Sequence, residues 1–295
     1  MLEDTVLHDI AERLSRVAGI DAVVLGGSRA RGTHHAGSDV DLGLYYDADR
    51  LDVDALRAAA REVAGPGADV TGPGGWGPWV DGGGWLQIDE TPVDLILRDV
   101  ARVREQRDRA RRGQFAFHHQ LGHPLGFLDV GYAAEAAVCR PLSDPTGVVP
   151  QLREGLDPYP EPLRRTLVAL PGDAEFLLAG AAKATVRGDV AYVQLCCSTA
   201  VMWCAHAWYA RAGVWVMNEK GLVPGVAGLP IPTGDFGDRA TSVLAQIGTD
   251  PSPSGLDASV RQVAELVSST HGARSAAGSA EPYVARDSSS SGRST

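Results

Sequence analysis

The sequence has little lysine and no excess of positive charge. Lys183 and Lys220 are the only lysines among 27 basic residues in a chain of 295, and the formal net charge is −10. A large nucleic-acid surface needs a basic stripe, so this balance argues against one and suits a cationic small molecule better. In an arginine-biased chain, each lysine is a candidate compact charge for a phosphate.

The sequence also lacks the usual signs of export. Its four cysteines, Cys139, Cys196, Cys197 and Cys204, show neither metal-site spacing nor a disulfide framework, which predicts a cytoplasmic compartment. The N-terminus lacks the basic segment and apolar core of a signal peptide. We find no apolar run that approaches the length of a membrane span and expect no membrane contact.

The most informative stretch is residues 23–46, in which two apolar runs flank a glycine turn and two aspartates. The turn is Gly26-Gly27-Ser28, and period-two alternation places Asp39 and Asp41 on one face of the second strand. Two adjacent carboxylates repel each other unless a cation lies between them, and Mg²⁺ prefers such oxygen ligands. The glycines permit close approach of the backbone to a ligand, and a helix starting there would offer N–H groups to phosphate. The pattern predicts a site for a metal-bound nucleoside triphosphate.

Three short motifs in this stretch resemble a known signature. Gly27-Ser28, Ala30-Arg31-Gly32 and Ser38-Asp39-Val40-Asp41-Leu42 are similar to the signature of the nucleotidyltransferase fold of the DNA polymerase β superfamily, above all its small-molecule-modifying bacterial branch. The resemblance covers residues 1–110 best and the rest loosely. It implies an α+β fold, with a mixed sheet flanked by helices and followed by an all-helical domain.

The family pattern asks for a third carboxylate on a later strand. Asp94 interrupts the apolar segment from Pro92 to Leu97, where a lone aspartate is costly if it is buried without a partner. The other nearby acidic residues stand in turn-like or helix-start contexts and are more easily explained as solvated; they are Asp81, Asp89, Glu90 and Asp99. We therefore favour Asp94.

The resemblance implies a role for each of these residues. Asp39 and Asp41 would bind two Mg²⁺ ions, one of which delivers the triphosphate of ATP or another NTP. Asp94 would help to hold the second ion and act, directly or through it, as the base toward an acceptor hydroxyl. The residues predicted to bind the nucleotide are Gly27, Ser28, Arg31, Ser38, Lys183 and Lys220, of which the first three would hold the β,γ-phosphates that leave as pyrophosphate.

The remainder of the chain predicts a second, helical domain. We predict a catalytic domain at 1–140, a helical substrate- or nucleotide-binding domain at 141–272 and a disordered tail at 273–295, with the active site between the two domains. The turn-rich residues 140–147 are interpreted as the interdomain segment. The predicted helices are 5–18, 51–64, 99–112, 133–138, 162–170, 173–187, 189–212 and 258–267. Asn218-Glu219-Lys220-Gly221 resembles the polar segment that antibiotic-modifying nucleotidyltransferases place near the nucleotide.

A glycine-rich loop at residues 72–84 carries Trp76 and Trp79, with Trp85 just beyond it. The loop has neither Walker spacing nor a lysine, so it is not a P-loop. Either it is a connection whose tryptophans cover the sheet, or it is a mobile flap with an aromatic platform over the base or the acceptor. The sequence leaves both interpretations open.

The predicted function is metal-dependent transfer of a nucleoside monophosphate from an NTP to a hydroxyl of a small molecule, with an aminoglycoside-like antibiotic as the first candidate acceptor. One alternative is a toxin–antitoxin component that modifies or binds a partner protein, although such modules are usually shorter and lack a large helical domain. Another is a catalytically silent nucleotide sensor, against which the intact carboxylate set argues.

Overall fold

The computed structural model describes residues 2–32, 34–35 and 37–272 of the chain. The strands are β1 (Ile20–Leu25), β2 (Val40–Tyr46), β3 (Gly83–Ile88), β4 (Thr91–Asp99), β5 (Phe117–His118), β6 (Phe127–Leu128) and β7 (Arg140–Ser143). The helices are α1 (Asp4–Ser15), α2 (Gly27–Ala30), α3 (Val53–Ala64), α4 (Val100–Arg111), α5 (Gly131–Val138), α6 (Val148–Arg153), α7 (Glu161–Thr185), α8 (Val190–Ala212), α9 (Leu222–Gly225), α10 (Phe236–Gln246) and α11 (Pro253–Gly272). A 3₁₀ turn follows α9 at Val226–Gly228.

Five strands form one mixed sheet in the order β3-β4-β2-β1-β7. Strands β2 and β4 are parallel neighbours, whereas the other pairs are antiparallel. Strands β5 and β6 form a separate two-stranded sheet. The mixed sheet with flanking helices and a helical C-terminal region confirms the predicted α+β fold.

One face of the sheet is an apolar core. Alternate residues of β1, β2 and β4 turn toward α1 and α3, and almost none of their surface is exposed; they are Val23, Leu25, Val40, Leu42, Leu44, Val93, Leu95 and Leu97. Leu7, Leu14 and Leu56 complete this core from the two helices. Because side chains alternate along a strand, the residues between them lie on the opposite face. We call that opposite face the carboxylate face, since Asp41 and Asp94 lie on it.

Contacts divide the chain into two compact units. The first contains the described residues up to Leu163 together with Trp215–Lys220, and the second contains Arg164–Val214 together with the described residues from Gly221 onward. Residues 140–147, predicted as an interdomain segment, begin with β7, which pairs with β1 inside the first unit. The domain bounds given from the sequence stay a prediction, and the tail at 273–295 lies outside the described residues.

In the second unit, α8 packs against α9, α10 and α11. Helix α7 is one continuous helix, although the sequence analysis divided it at Pro171. An interior proline removes one hydrogen bond and costs about 3 kcal/mol. Leu167, Leu170, Ala174 and Leu178 are buried on both sides of Pro171 at helical spacing. Burying this uninterrupted apolar stripe stabilises the helix enough to offset the proline.

The prediction that no apolar run approaches the length of a membrane span was wrong for helix α8. Among the described residues, this one helix is long and apolar enough to cross a membrane, with a mean hydropathy of 1.3 over its best 18-residue window. Half of that window is buried inside the protein, as in the central helix of a helical bundle.

Candidate active site

The structure brings Asp39, Asp41 and Asp94 together. Asp41 of β2 is the register partner of Asp94 on the parallel strand β4, and Asp39 comes immediately before β2. One carboxylate oxygen from each residue lies within 4.8 Å of the other two. Asp39 is exposed, whereas the other two are half-buried. The three oxygens therefore form a compact, accessible cluster at the start of β2, the middle strand of the sheet.

This cluster crowds negative charge. Burial, followed by the charges of Asp39, Asp94 and Glu135, raises the pKa of Asp41 to about 6, although Arg31 opposes the shift. Burial and then the charge of Asp39 raise the pKa of Asp94, which Lys220 partly offsets. Both carboxyls are thus harder to ionise than usual, first because burial disfavours the charged form and then because the neighbouring carboxylates repel it.

A divalent cation fits this arrangement. The cluster offers hard carboxylate oxygens, the ligands that Mg²⁺ prefers, and its accessible side leaves room for water or phosphate oxygens. A cation would also relieve the repulsion that raises the pKa of Asp41. Asp39, Asp41 and Asp94 could therefore hold a metal.

Gly27 allows the glycine turn to approach the carboxylates. Its φ is +57°, and a Cβ built on it would lie 1.7 Å from Oδ2 of Asp41. The N–H of Gly26 also donates to the backbone oxygen of Asp41, at 2.8 Å. A side chain at position 27 would displace the Asp41 carboxylate, so the turn and β2 come this close only with glycine there.

The other residues predicted to contact the nucleotide around the turn lie near the cluster. Ser28 is in α2, which is only four residues long rather than the start of a longer helix. Arg31 is exposed, its Nε donates to the Gly27 oxygen at 3.2 Å, and its charge lowers the pKa of Asp41. Ser38 instead uses its hydroxyl to accept from the N–H of His35, at 3.0 Å.

Arg29, which was not among the predicted site residues, joins the glycine turn to Ser38 and Asp39 just before β2. Its Nε donates to the Asp39 oxygen and its Nη2 to the Ser38 oxygen, both at 2.9 Å. Both acceptors are backbone carbonyls, so any residue at those positions could receive these bonds. For that reason the sequence carries no signal for the contact.

Lys220 lies in the first unit, close enough for its charge to lower the pKa of Asp94. Its backbone N–H donates to Oδ1 of Asn218 at 2.9 Å. The neighbouring Glu219 has its Oε2 within hydrogen-bond distance of Nδ1 of His123, at 3.0 Å. Lys183 is exposed in the last turn of α7, in the second unit. The predicted role of both lysines in nucleotide binding stays a prediction.

A buried ion pair on the carboxylate face was also missed. Both Nε and Nη2 of Arg98 donate to the Glu135 carboxylate, at 2.5 and 2.7 Å. Arg98 is buried on β4, and Glu135 is carried by α5. Glu135 adds to the charges that raise the pKa of Asp41. An arginine in a strand and a glutamate in a short helix give no joint signal until the fold pairs them.

The other acidic residues near Asp94 have separate explanations. Asp81 is buried rather than solvated, and its carboxylate accepts from Arg102 at 2.8 Å and from the Tyr46 hydroxyl at 3.2 Å. Asp99 caps α4 by accepting from the N–H of Ala101. Asp89 and Glu90 form the turn between β3 and β4. In the described part of the chain, none of the four belongs to the carboxylate cluster.

The glycine-rich loop is fastened to the rest of the first unit. Oε1 of Gln120 accepts from the N–H groups of Trp79 and Val80, and its Nε2 donates to the Trp76 oxygen, at 3.0 to 3.2 Å. The Tyr132 hydroxyl donates to the Trp79 oxygen. These bonds favour the covering loop over a free flap.

Comparison with protein-family models agrees with this geometry. Residues 7–73 match the family described as nucleotidyltransferase domain, a stretch that contains the glycine turn, Asp39 and Asp41. Among solved structures, the chain is similar to a nucleotidyltransferase-like protein from Exiguobacterium sibiricum. That similarity has 10% identity and a TM-score of 0.43, and it covers 92% of this chain and 77% of the other. No protein with a curated description matches the sequence.

Proposed function

We propose that this chain, which carries a nucleotidyltransferase domain on an α+β nucleotidyltransferase fold, transfers a nucleoside monophosphate from an NTP to a hydroxyl of a small molecule. The donor would be ATP, and pyrophosphate would leave. The observation that carries the proposal is the cluster of Asp39, Asp41 and Asp94 beside a turn that only glycine permits.

Asp39, Asp41 and Asp94 would hold two Mg²⁺ ions. Bound there, the ions would neutralise the carboxylates and polarise the phosphoryl group that is transferred. Asp94 is the member on β4, so it is farthest across the sheet from the glycine turn that follows β1. That placement suits a group that works on the acceptor side.

The glycine turn and the basic side chains near it would hold the triphosphate. Ser28 would offer its hydroxyl and Arg31 its exposed guanidinium to the β,γ-phosphates. Arg29 would keep Ser38 and Asp39 at a fixed distance from the turn through its two backbone bonds. Lys220, beside Asp94, would add a compact charge for phosphate.

The reaction would be an in-line displacement. The acceptor oxygen forms a bond to the α-phosphorus while the bond from that phosphorus to the bridging oxygen of pyrophosphate breaks. Asp94 accepts the proton that the hydroxyl loses, and the electron pair of the broken bond leaves with pyrophosphate. The product is a nucleoside monophosphate ester of the acceptor.

The acceptor would be cationic, as an aminoglycoside-like molecule is. The chain has a formal net charge of −10, which gives the protein as a whole a negative field. Such a field attracts a positively charged substrate and raises its local concentration.

The test is incubation of the purified protein with α-³²P-labelled NTPs, Mg²⁺ and a panel of aminoglycosides. We expect the label on the acceptor and an equal amount of unlabelled pyrophosphate, measured by a separate assay, with neither product formed in EDTA or with Asp41→Asn. Label transferred only to a protein would instead support the toxin–antitoxin alternative. Nucleotide binding without any transfer would contradict the proposal and support a silent sensor.

A further inference from the structure

Trp85 is an unusual residue for the carboxylate face. It is 72% exposed, and it is the register partner of Asp94 on the antiparallel neighbour β3. Directly opposite residues of paired strands lie on the same face, with their Cβ atoms about 5 Å apart. A large, open indole therefore stands beside the third carboxylate, whereas Leu86 and Ile88 on the same strand turn into the core.

Trp76 supports this indole from behind. The two rings are stacked, with centroids 4.4 Å apart and planes 17° from parallel. Position 83 has no room for a side chain, because a Cβ on Gly83, whose φ is +148°, would lie 1.9 Å from the backbone oxygen of Leu95 and 3.0 Å from Cη2 of Trp76. Gln120 fixes the backbone of Trp76 by donating to its oxygen at 3.0 Å. Trp76 and Trp85 thus form a supported aromatic shelf, whose outer surface is exposed.

The order of elements across the sheet gives this shelf a position in the reaction. The glycine turn follows β1, Asp41 is on β2, Asp94 is on β4, and Trp85 is on β3. Neighbouring strands are about 4.8 Å apart, so the shelf and the turn are separated by the width of the carboxylate cluster. An in-line displacement requires the entering oxygen to lie opposite the leaving group. If the leaving pyrophosphate is at the turn, the acceptor enters from the side of the shelf.

We propose that the aromatic shelf of Trp76 and Trp85 binds the acceptor, and that the acceptor is a hydroxylated sugar ring of the aminoglycoside type. This inference rests on the proposed function. The apolar C–H face of a sugar ring packs flat on an indole, and an ammonium group over the ring is attracted by its negative π face. A nucleobase is the other flat group that could stack there. With the leaving pyrophosphate at the turn, however, the base would have to extend past Asp94 to reach the shelf, on the side from which the acceptor enters.

The test compares Trp85→Ala and Trp85→Phe with the parent protein in steady-state transfer, using the best acceptor of the aminoglycoside panel. We expect Trp85→Ala to raise the acceptor KM on the order of 10-fold and Trp85→Phe to raise it less, with the ATP KM unchanged. Val6→Ala, which shortens a 38% exposed side chain of α1 on the other face of the sheet, is the control and should leave both constants unchanged. An acceptor KM within twofold of the parent in Trp85→Ala would overturn the proposal. A raised ATP KM with an unchanged acceptor KM would assign the shelf to the nucleobase and overturn it as well.

Direct binding separates failure of the shelf from failure of the proposed function. Aminoglycosides are titrated calorimetrically into parent and Trp85→Ala in the presence of Mg²⁺ and a non-hydrolysable ATP analogue. If no transfer occurs but the parent binds an aminoglycoside more tightly than Trp85→Ala does, the shelf stands and the transfer reaction fails. If the parent binds the ATP analogue but no aminoglycoside, the assignment of the shelf to a sugar ring fails.

Discussion

The two faces of the central sheet carry opposite kinds of residue on the same strands. On β4, Asp94 belongs to the carboxylate cluster, while its neighbour Leu95 is fully buried in the core. On β2, Asp41 and Leu42 divide in the same way. Because successive side chains of a strand point to opposite faces of the sheet, one short segment supplies both an apolar residue for the core and a carboxylate for the site. Substitutions on the two faces should therefore have separable effects.

The largest effect is expected from the pair beside the glycine turn. Asp41→Asn or Asp39→Asn should abolish transfer, because each removes a charged oxygen ligand from the cluster. Calorimetric titration of ATP with and without Mg²⁺ checks the underlying cause, and the parent should bind ATP more tightly with Mg²⁺. Equal ATP affinity with and without Mg²⁺ would contradict the assignment of a metal to this cluster.

The control for this prediction is stability without metal. Because the pKa of Asp41 is raised in the folded state, its protonated carboxyl favours folding, and this contribution is complete below the usual pKa of 3.8 and lost as the pH rises through about 6. At pH 7 in EDTA, ionised Asp41 therefore destabilises the folded state by up to about 3 kcal/mol. Asp41→Asn should then unfold at equal or higher denaturant concentration than the parent. A clear loss of stability would mean that its loss of activity reflects misfolding.

The next effect concerns Asp94 and separates turnover from binding. Asp94→Asn keeps the shape but cannot accept the hydroxyl proton, so turnover should fall by about 10²–10⁴-fold. Its ATP affinity should stay within a few-fold of the parent value, because Asp39, Asp41 and the turn remain. Transfer and calorimetric binding are measured on the same sample. Turnover near the parent value would make Asp94 an ordinary strand residue.

The core face of the sheet is tested at Leu95, the residue that follows Asp94. Leu95→Ala removes a fully buried side chain from the core, which should lower the free energy of unfolding by about 2–5 kcal/mol. Urea unfolding measures this loss, with Asp94→Asn as the matched variant one residue away. The distinction between the faces breaks down if Asp94→Asn loses as much stability as Leu95→Ala.

The smallest effect is expected from the two lysines. Lys220→Met and Lys183→Met should each weaken NTP binding, up to about fivefold, as expected for the loss of one exposed charge. Lys220 already acts on the pKa of Asp94, so its substitution tests the site from within the first unit. Titration of Mg·ATP provides the measurement. Parent-like affinity in both variants would return the lysines to ordinary surface charges.

Local patterns predicted much of the fold because their physical causes are local. Short apolar runs indicated β1, β2 and β4, and the expected helix at 51–64 is α3 at Val53–Ala64. Helix α10 was missed, since it follows a segment rich in glycine and proline and its burial depends on packing against α9 and α11. The division at Pro171 failed for a related reason, because tertiary burial outweighed a local penalty.

By itself, the sequence determined the motif of the glycine turn and the two aspartates. All its parts lie within residues 23–46, so local alternation is enough to place Asp39 and Asp41 on one face of a strand. It also indicated Asp94, since a charge within an apolar strand requires an explanation. Only the tertiary structure decided what joins these pieces across the chain: the register of Asp41 with Asp94, the bonds from Arg29, and the pairing of Trp85 beside Asp94. Strand order and register depend on contacts between residues distant in sequence, and those contacts form only when the sheet buries its apolar face.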